Sequence, residues 1–171
     1  MVKSVTNINR RDFLKIILSG LAALTALFLG VPLLSYIFEP LRRPNNNEFV
    51  HVPGFPELPA DQVSKLNFAL AQQDSFFTGP RTQDVWVIKH DPAAATIYSP
   101  ICTHLSCRID WEGDWQKFVC PCHGSVFSAD GRVVSGPAPR AMDTLAYKIK
   151  GGELYVQWKI YKAGIASKVE L

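Results

Sequence analysis

Cysteine is scarce in this sequence and confined to one region. Four occur in 171 residues, at Cys102, Cys107, Cys120 and Cys122. No C-x-x-C-H run is present, and "CPCH" is one residue short of it, so covalent attachment of a c-type haem is excluded. No C-x-x-C opens a helix within a βαβ unit, so a thioredoxin-like dithiol is excluded as well. A strong excess of one charge is also missing. The net charge is +3 and much of the basic character lies near the N-terminus, which argues against nucleic acid as a partner. Charge vanishes altogether from Ile16 to Phe38. After Phe49 there is neither sustained helical periodicity nor an internal repeat.

The charge-free stretch "IILSGLAALTALFLGVPLLSYIF" would extend roughly 35 Å as a helix, enough to cross a hydrocarbon core of about 30 Å. Residues 16–38 are therefore expected to form a transmembrane anchor, with Pro32 tolerated inside it. A buried helix of a soluble protein is the alternative, but such helices usually keep a polar face. In residues 1–15, Lys3, Arg10, Arg11 and Lys15 outweigh Asp12, which places this end in the cytoplasm and the rest on the periplasmic or outer side of a bacterial plasma membrane. "RRDFLK" resembles a twin-arginine export signal, although a plain anchor with the same spacing would read alike. No clear small-x-small cleavage site follows, so an uncleaved signal anchor is expected.

Residues 39–48, "EPLRRPNNNE", have the composition of a linker or hinge, and a static spacer would look no different. Residues 49–171 read as a mainly β domain, an antiparallel sandwich or barrel. Strands are expected in "DVWVIKH", "ATIYSP", "WQKFVC", "GRVVSG", "LAYKIK" and "ELYVQW", the last two forming a hairpin around Gly151–Gly152. A helical turn is expected at "PADQVSK". Residues 162–171 carry no readable pattern. Trp86, Trp111, Trp115 and Trp158 are expected in core or loop packing, and His51 and His90 at the surface or at strand ends.

The cysteines fall in "CTHLSC" and "CPCHGS". Each stretch offers a cysteine with a nearby histidine, as C-x-H and C-x-x-H, and each has one cysteine to spare. A structural zinc site in an extracellular module remains chemically possible, although its ligands usually come as a cysteine pair followed by a histidine pair. The pattern also fits a cluster in which one iron takes two thiolates and the other two imidazoles. Two ferric ions, two sulfides and two thiolates sum to zero charge, whereas four thiolates would leave a dianion. An electron enters the neutral centre more readily, so its potential is higher. A ligating imidazole can also carry a proton with that electron.

Both stretches resemble the cluster-binding loops of the Rieske iron–sulfur subunit of cytochrome bc-type quinol oxidases. The resemblance extends to the anchor, the linker, the β head and a "GPAPR" segment at Gly136–Arg140. It implies a [2Fe–2S] cluster with Cys102 and Cys120 on one iron and His104 and His123 on the other, in a cluster-binding subdomain at about 101–140. It further implies a Cys107–Cys122 disulfide, which would close a loop of about fifteen residues and contribute roughly 3 kcal/mol. Soluble Rieske ferredoxins generally lack this pair. Ser125 matches a serine that donates to a cluster sulfide, with a simple turn serine as the alternative, and Gly124 permits close backbone approach. Gly136, Pro137, Ala138 and Pro139 match a proline loop that covers the cluster. One departure is Phe127, where many high-potential relatives carry a tyrosine that donates to a ligand cysteine. Its absence implies a lower potential, suited to menaquinol.

The resemblance thus implies an enzyme subunit that takes an electron from quinol through His123 or His104 and passes it to a c-type cytochrome. The quinol pocket would be shared with a cytochrome b-type subunit. The alternative is the Rieske electron-transfer subunit of another exported oxidoreductase, such as an arsenite oxidase.

Overall fold

The computed structural model describes residues 9–42, 48–73 and 78–171. The chain divides into two units, Met1–Pro44 and Asn45–Leu171.

The first unit is a single helix, α1 (Arg10–Arg42). Asn9 caps it, its Oδ1 accepting from the Asp12 N–H at 2.9 Å, which satisfies one of the free donors of the first turn. Asp12 lies where the helix dipole favours an anion, and it pairs with Lys15 at 3.3 Å. From Arg10 to Phe38 the helix is long and apolar enough to cross a membrane, and none of that segment is buried in the protein. Ser19, Thr25 and Ser35 turn their hydroxyls back onto backbone carbonyls at 2.8–3.0 Å, so these three donors are paired within the helix. The helix continues to Arg42, into the segment expected as linker. Residues 43–47 of that linker lie outside the described residues.

The second unit is built of antiparallel strands: β1 (Phe49–Val52), β2 (Val63–Gln73), β3 (Thr78–Asp91), β4 (Ala94–Tyr98), β5 (Asp110–Glu112), β6 (Lys117–Cys120), β7 (Ser125–Ser128), β8 (Val133–Ser135), β9 (Tyr147–Lys150) and β10 (Glu153–Gln157). They form sheets ordered β1-β10-β9, β2-β3-β4 and β5-β6-β7-β8. The first two sheets enclose one core, in which Val52, Phe55, Val85, Val87, Ile97 and Leu154 are fully buried. The third sheet packs around a second core with Ile109, Phe118 and Phe127 at its centre. Trp86 and Tyr98, from the second sheet, belong to this second core and both meet Phe118 edge-on. The Trp86 indole donates to the Ile109 carbonyl at 3.0 Å, so the second sheet is tied to the segment that enters the third.

The mainly β expectation holds, with two local corrections. No helical turn forms at Pro59–Lys65: Ala60 bridges Lys89, Asp61 takes a φ of 56°, and β2 has begun by Val63. Pairing with β3 outweighs the weak local preference. Trp115 is 67% exposed rather than packed, because it lies on the tight β5–β6 turn, where Gln116 takes a φ of 52°.

Candidate metal centre

Two loops carry the chemistry. Residues 99–109 connect β4 to β5, and residues 121–124 connect β6 to β7. The first loop is pinched by the Ile101–Arg108 bridge, by Cys102 N–H to the Cys107 carbonyl at 2.7 Å, and by Ile109 N–H to the Pro100 carbonyl at 2.8 Å. The second is a hairpin tip. Cys120 pairs with Ser125 across β6 and β7, and Gly124, at a φ of 71°, donates to the Cys120 carbonyl at 3.1 Å. Alternation along the two strands turns Phe118, Cys120, Ser125 and Phe127 inward together.

The loops bring their free thiols together. Cys102 and Cys120 are both unbridged and buried. Burial pushes the Cys102 thiol up, and the neighbouring Cys120 adds to that, while the His104 backbone and the Ser125 hydroxyl act the other way. Two thiolates here would need a cation. The His104 and His123 rings meet edge-on, with centroids 4.9 Å apart. His104 is half-buried and His123 exposed, so the sulfur side faces the core and the imidazole side faces outward. Cys107 and Cys122 form a disulfide with their Cα atoms 6.5 Å apart. Their sulfurs and that of Cys120 lie within 4.8 Å of one another, so the bridge sits beside a free thiol and is not itself a ligand set.

A third segment closes over the second loop. Gly136, at a φ of 91°, lies so close that a Cβ there would stand 2.5 Å from Ser125 Cα and 2.6 Å from the Gly124 carbonyl oxygen. Only glycine fits that contact. Ala138 of the same segment is buried, and Phe127 is buried on β7 opposite Phe118.

The donors present fit an iron–sulfur cluster. Two soft thiols and two imidazoles are supplied in equal shares by the two loops. The Ser125 hydroxyl is fully buried and, although near enough to the Cys102 thiol to favour its thiolate, makes no well-formed hydrogen bond in the protein. A buried donor without an acceptor is costly, and a cluster sulfide would supply the acceptor.

The sequence-predicted residues Cys102, His104, Cys120, His123 and Ser125 are thus brought to one place. His51 and His90 lie elsewhere, paired with Glu153 at 3.0 Å and with Asp61 at 3.1 Å. Sequence reasoning missed the support behind the first loop, formed by Thr103, Arg140, Asp143 and Gly164. The arginine ending "GPAPR" was its only visible signal.

Comparison with known proteins gives a consistent result. Residues 59–148 match the family described as the Rieske [2Fe-2S] domain. The menaquinol:cytochrome c reductase iron-sulfur subunit of Geobacillus thermodenitrificans is 30% identical over 154 residues, 87% of this chain and 90% of that one. Its namesake from Bacillus subtilis is 30% identical over 155 residues, 88% and 92% of the two chains. The cytochrome b6-f complex iron-sulfur subunit of Chlorobaculum thiosulfatiphilum is 27% identical over 147 residues, 86% and 74%.

Proposed function

Because the chain belongs to the Rieske [2Fe–2S] family, we propose that Cys102 and Cys120 hold one iron of its cluster and His104 and His123 the other. It is a Rieske electron-transfer subunit of a cytochrome bc-type complex, and its relatives are subunits of quinol:cytochrome c oxidoreductases. The observation that carries the ligand assignment is the meeting of two buried free thiols and two outward imidazoles, one of each from either loop.

When bound, the cluster supplies one-electron transfer at a potential raised by the exchange of two thiolates for imidazoles. The chain's residues prepare the site around it. Burial of Cys102 and Cys120 excludes water from the sulfur side. The Cys107–Cys122 bridge ties the two loops together, and the buried Ser125 hydroxyl would donate to a cluster sulfide. His123 is the more exposed imidazole, so its outer nitrogen is the one that accepts the quinol hydroxyl proton, with His104 as the second candidate. Two imidazoles at a tip cannot enclose a quinol, so a cytochrome b-type subunit completes the pocket and a c-type cytochrome takes the electron onward.

Buried Phe127 lacks the hydroxyl that would raise the potential further, and two relatives are named for menaquinol. Both favour a low-potential quinol. The reading is completed by α1 as a single-pass anchor delivered through the twin-arginine route, with residues 1–15 in the cytoplasm, 39–48 as a hinge and 49–171 on the outer side.

Iron and sulfide analysis, with paramagnetic resonance of the dithionite-reduced full chain, tests this assignment. Two irons, two sulfides and the low-g signal of a histidine-ligated cluster are expected. Replacing His123 with cysteine should keep iron but lose that signature. A chain that holds zinc and gives no signal would sink the reading.

A further inference from the structure

The C-terminal segment, patternless in sequence, closes on itself in the structure. Lys162 N–H donates to the Val169 carbonyl at 2.8 Å, Leu171 N–H to the Ile160 carbonyl at 3.0 Å, and Tyr161 bridges Glu170. Lys159 pairs with Glu170 at 2.6 Å, and Lys168 donates to the Thr144 carbonyl at 2.7 Å. The tip of this closed segment is Gly164–Ile165, and it reaches the first ligand loop. Gly164 N–H donates to the Thr103 carbonyl at 2.9 Å. Thr103 is the residue between Cys102 and His104.

Arg140 joins the same two pieces. Its Nη1 donates to the Ile165 carbonyl at 2.7 Å, and its Nε and Nη2 donate to the two Asp143 oxygens at 3.0 and 2.7 Å. The pair is 10% and 7% exposed, so this geometry is costly to break. The Arg140 carbonyl in turn accepts from Thr103 Oγ1 at 2.8 Å. Both polar ends of a fully buried threonine are therefore held from outside its own loop. The second ligand loop needs no such help, because β6 and β7 pair right up to it. The first loop is longer, and the bonds it makes to itself, the Ile101–Arg108 bridge, Ile109 N–H to the Pro100 carbonyl and Cys102 N–H to the Cys107 carbonyl, leave the Thr103 carbonyl and hydroxyl to be held from outside.

We infer that Gly164 and Arg140 are positioning residues that fix the Thr103 peptide, and through it His104, so that the C-terminal segment sets the redox properties of the centre. This rests on the ligand assignment above. Gly164 makes the inference testable with little steric damage. A Cβ there would meet only the His104 carbonyl oxygen, at an ordinary 3.6 Å, but the φ of 76° penalises alanine. Asparagine tolerates that backbone conformation.

The measurements are the midpoint potential and the paramagnetic resonance g values of the full-length chain in detergent, with iron content recorded. G164A should shift both while retaining iron, and Gly164→Asn should return both toward wild type. R140Q should shift them in the same direction as G164A. G152A imposes comparable strain at the β9–β10 turn, where φ is 84° and nothing lies within 4 Å of a Cβ, and it should leave both unchanged. Wild-type midpoint and g values in iron-loaded G164A and R140Q would overturn the inference, as would an equal shift in G152A. If R140Q fails to fold, the two Gly164 variants decide. A wild-type chain without the cluster signal would sink the functional reading and this inference together, whereas a normal wild-type signal with unmoved variants would sink this inference alone.

Discussion

A hydroxyl buried without a partner costs a folded protein about 1–3 kcal/mol, and Ser125 Oγ is such a group. A cluster sulfide would offset that cost, because it offers an acceptor better placed than the Cys102 sulfur. Ser125→Ala should therefore act in opposite senses on two measurements. Thermal unfolding of the metal-free chain should be unchanged or slightly raised, because no well-formed protein hydrogen bond is lost. Redox titration of the loaded chain should show a lower midpoint. A donor worth about 1–2 kcal/mol more to the reduced centre corresponds to about 40–90 mV, given 59 mV per tenfold change for one electron. Phe127 is the converse case. It is fully buried in the cluster that also holds Cys102 and Cys120, so Phe127→Tyr adds a hydroxyl inside the core that surrounds the proposed ligand thiols. Its midpoint should rise by a similar amount. An unchanged midpoint in this variant would remove the main residue-level argument for a low-potential quinol.

At the level of elements, the centre depends on loops that pairing and close backbone contact hold in place. Gly136 shows how tight the contact is. In Gly136→Ala the added carbon would fall 2.5 Å from Ser125 Cα, at a φ that already disfavours a side chain, so the proline loop must back away from the second ligand loop. A loss of about 2–4 kcal/mol is expected. Iron content should fall at temperatures where far-ultraviolet circular dichroism still reports a folded head. The same scale shows what was legible in the sequence. "DVWVIKH" and "ELYVQW" read as strands because β-branched and aromatic residues alternate in them. Cys102, His104, Cys120 and His123 read as ligands because their spacing is local and chemically restrictive. β2 was not legible. It is rich in alanine, glutamine and leucine, which favour helix in isolation, and it is a strand because Val63–Gln73 pairs with β3 along its whole length. The Arg140–Asp143 support was hidden for a related reason: its meaning depends on Gly164 and Ile165, more than twenty residues away, in a segment without periodicity.

Over the whole molecule, an apolar helix accompanies a β head that divides its apolar material between two cores, with Trp86 and Tyr98 of the second sheet reaching into the second core. Tyr98 makes that core sensitive to alkali. Burial holds its phenol above the usual value of 10.0, and the nearby Asp130 charge adds to the effect. Tyr161, in the C-terminal segment, is shifted the same way by burial and by Glu170 and Asp143. In both cases the folded chain keeps a proton that the unfolded chain releases. The stability these neutral phenols contribute is fully present below the unfolded pKa of about 10 and is lost as pH rises toward the higher folded value. Over that window each fully retained proton costs about 1.4 kcal/mol per pH unit. The full chain in detergent should therefore melt at progressively lower temperature above about pH 10, while changing little from neutrality to that point on account of these groups. Tyr98→Phe should flatten the alkaline fall, and absorbance titration should show that it removes one late-ionising phenol. An alkaline melting profile identical to wild type would mean that the second core is open to water at Tyr98.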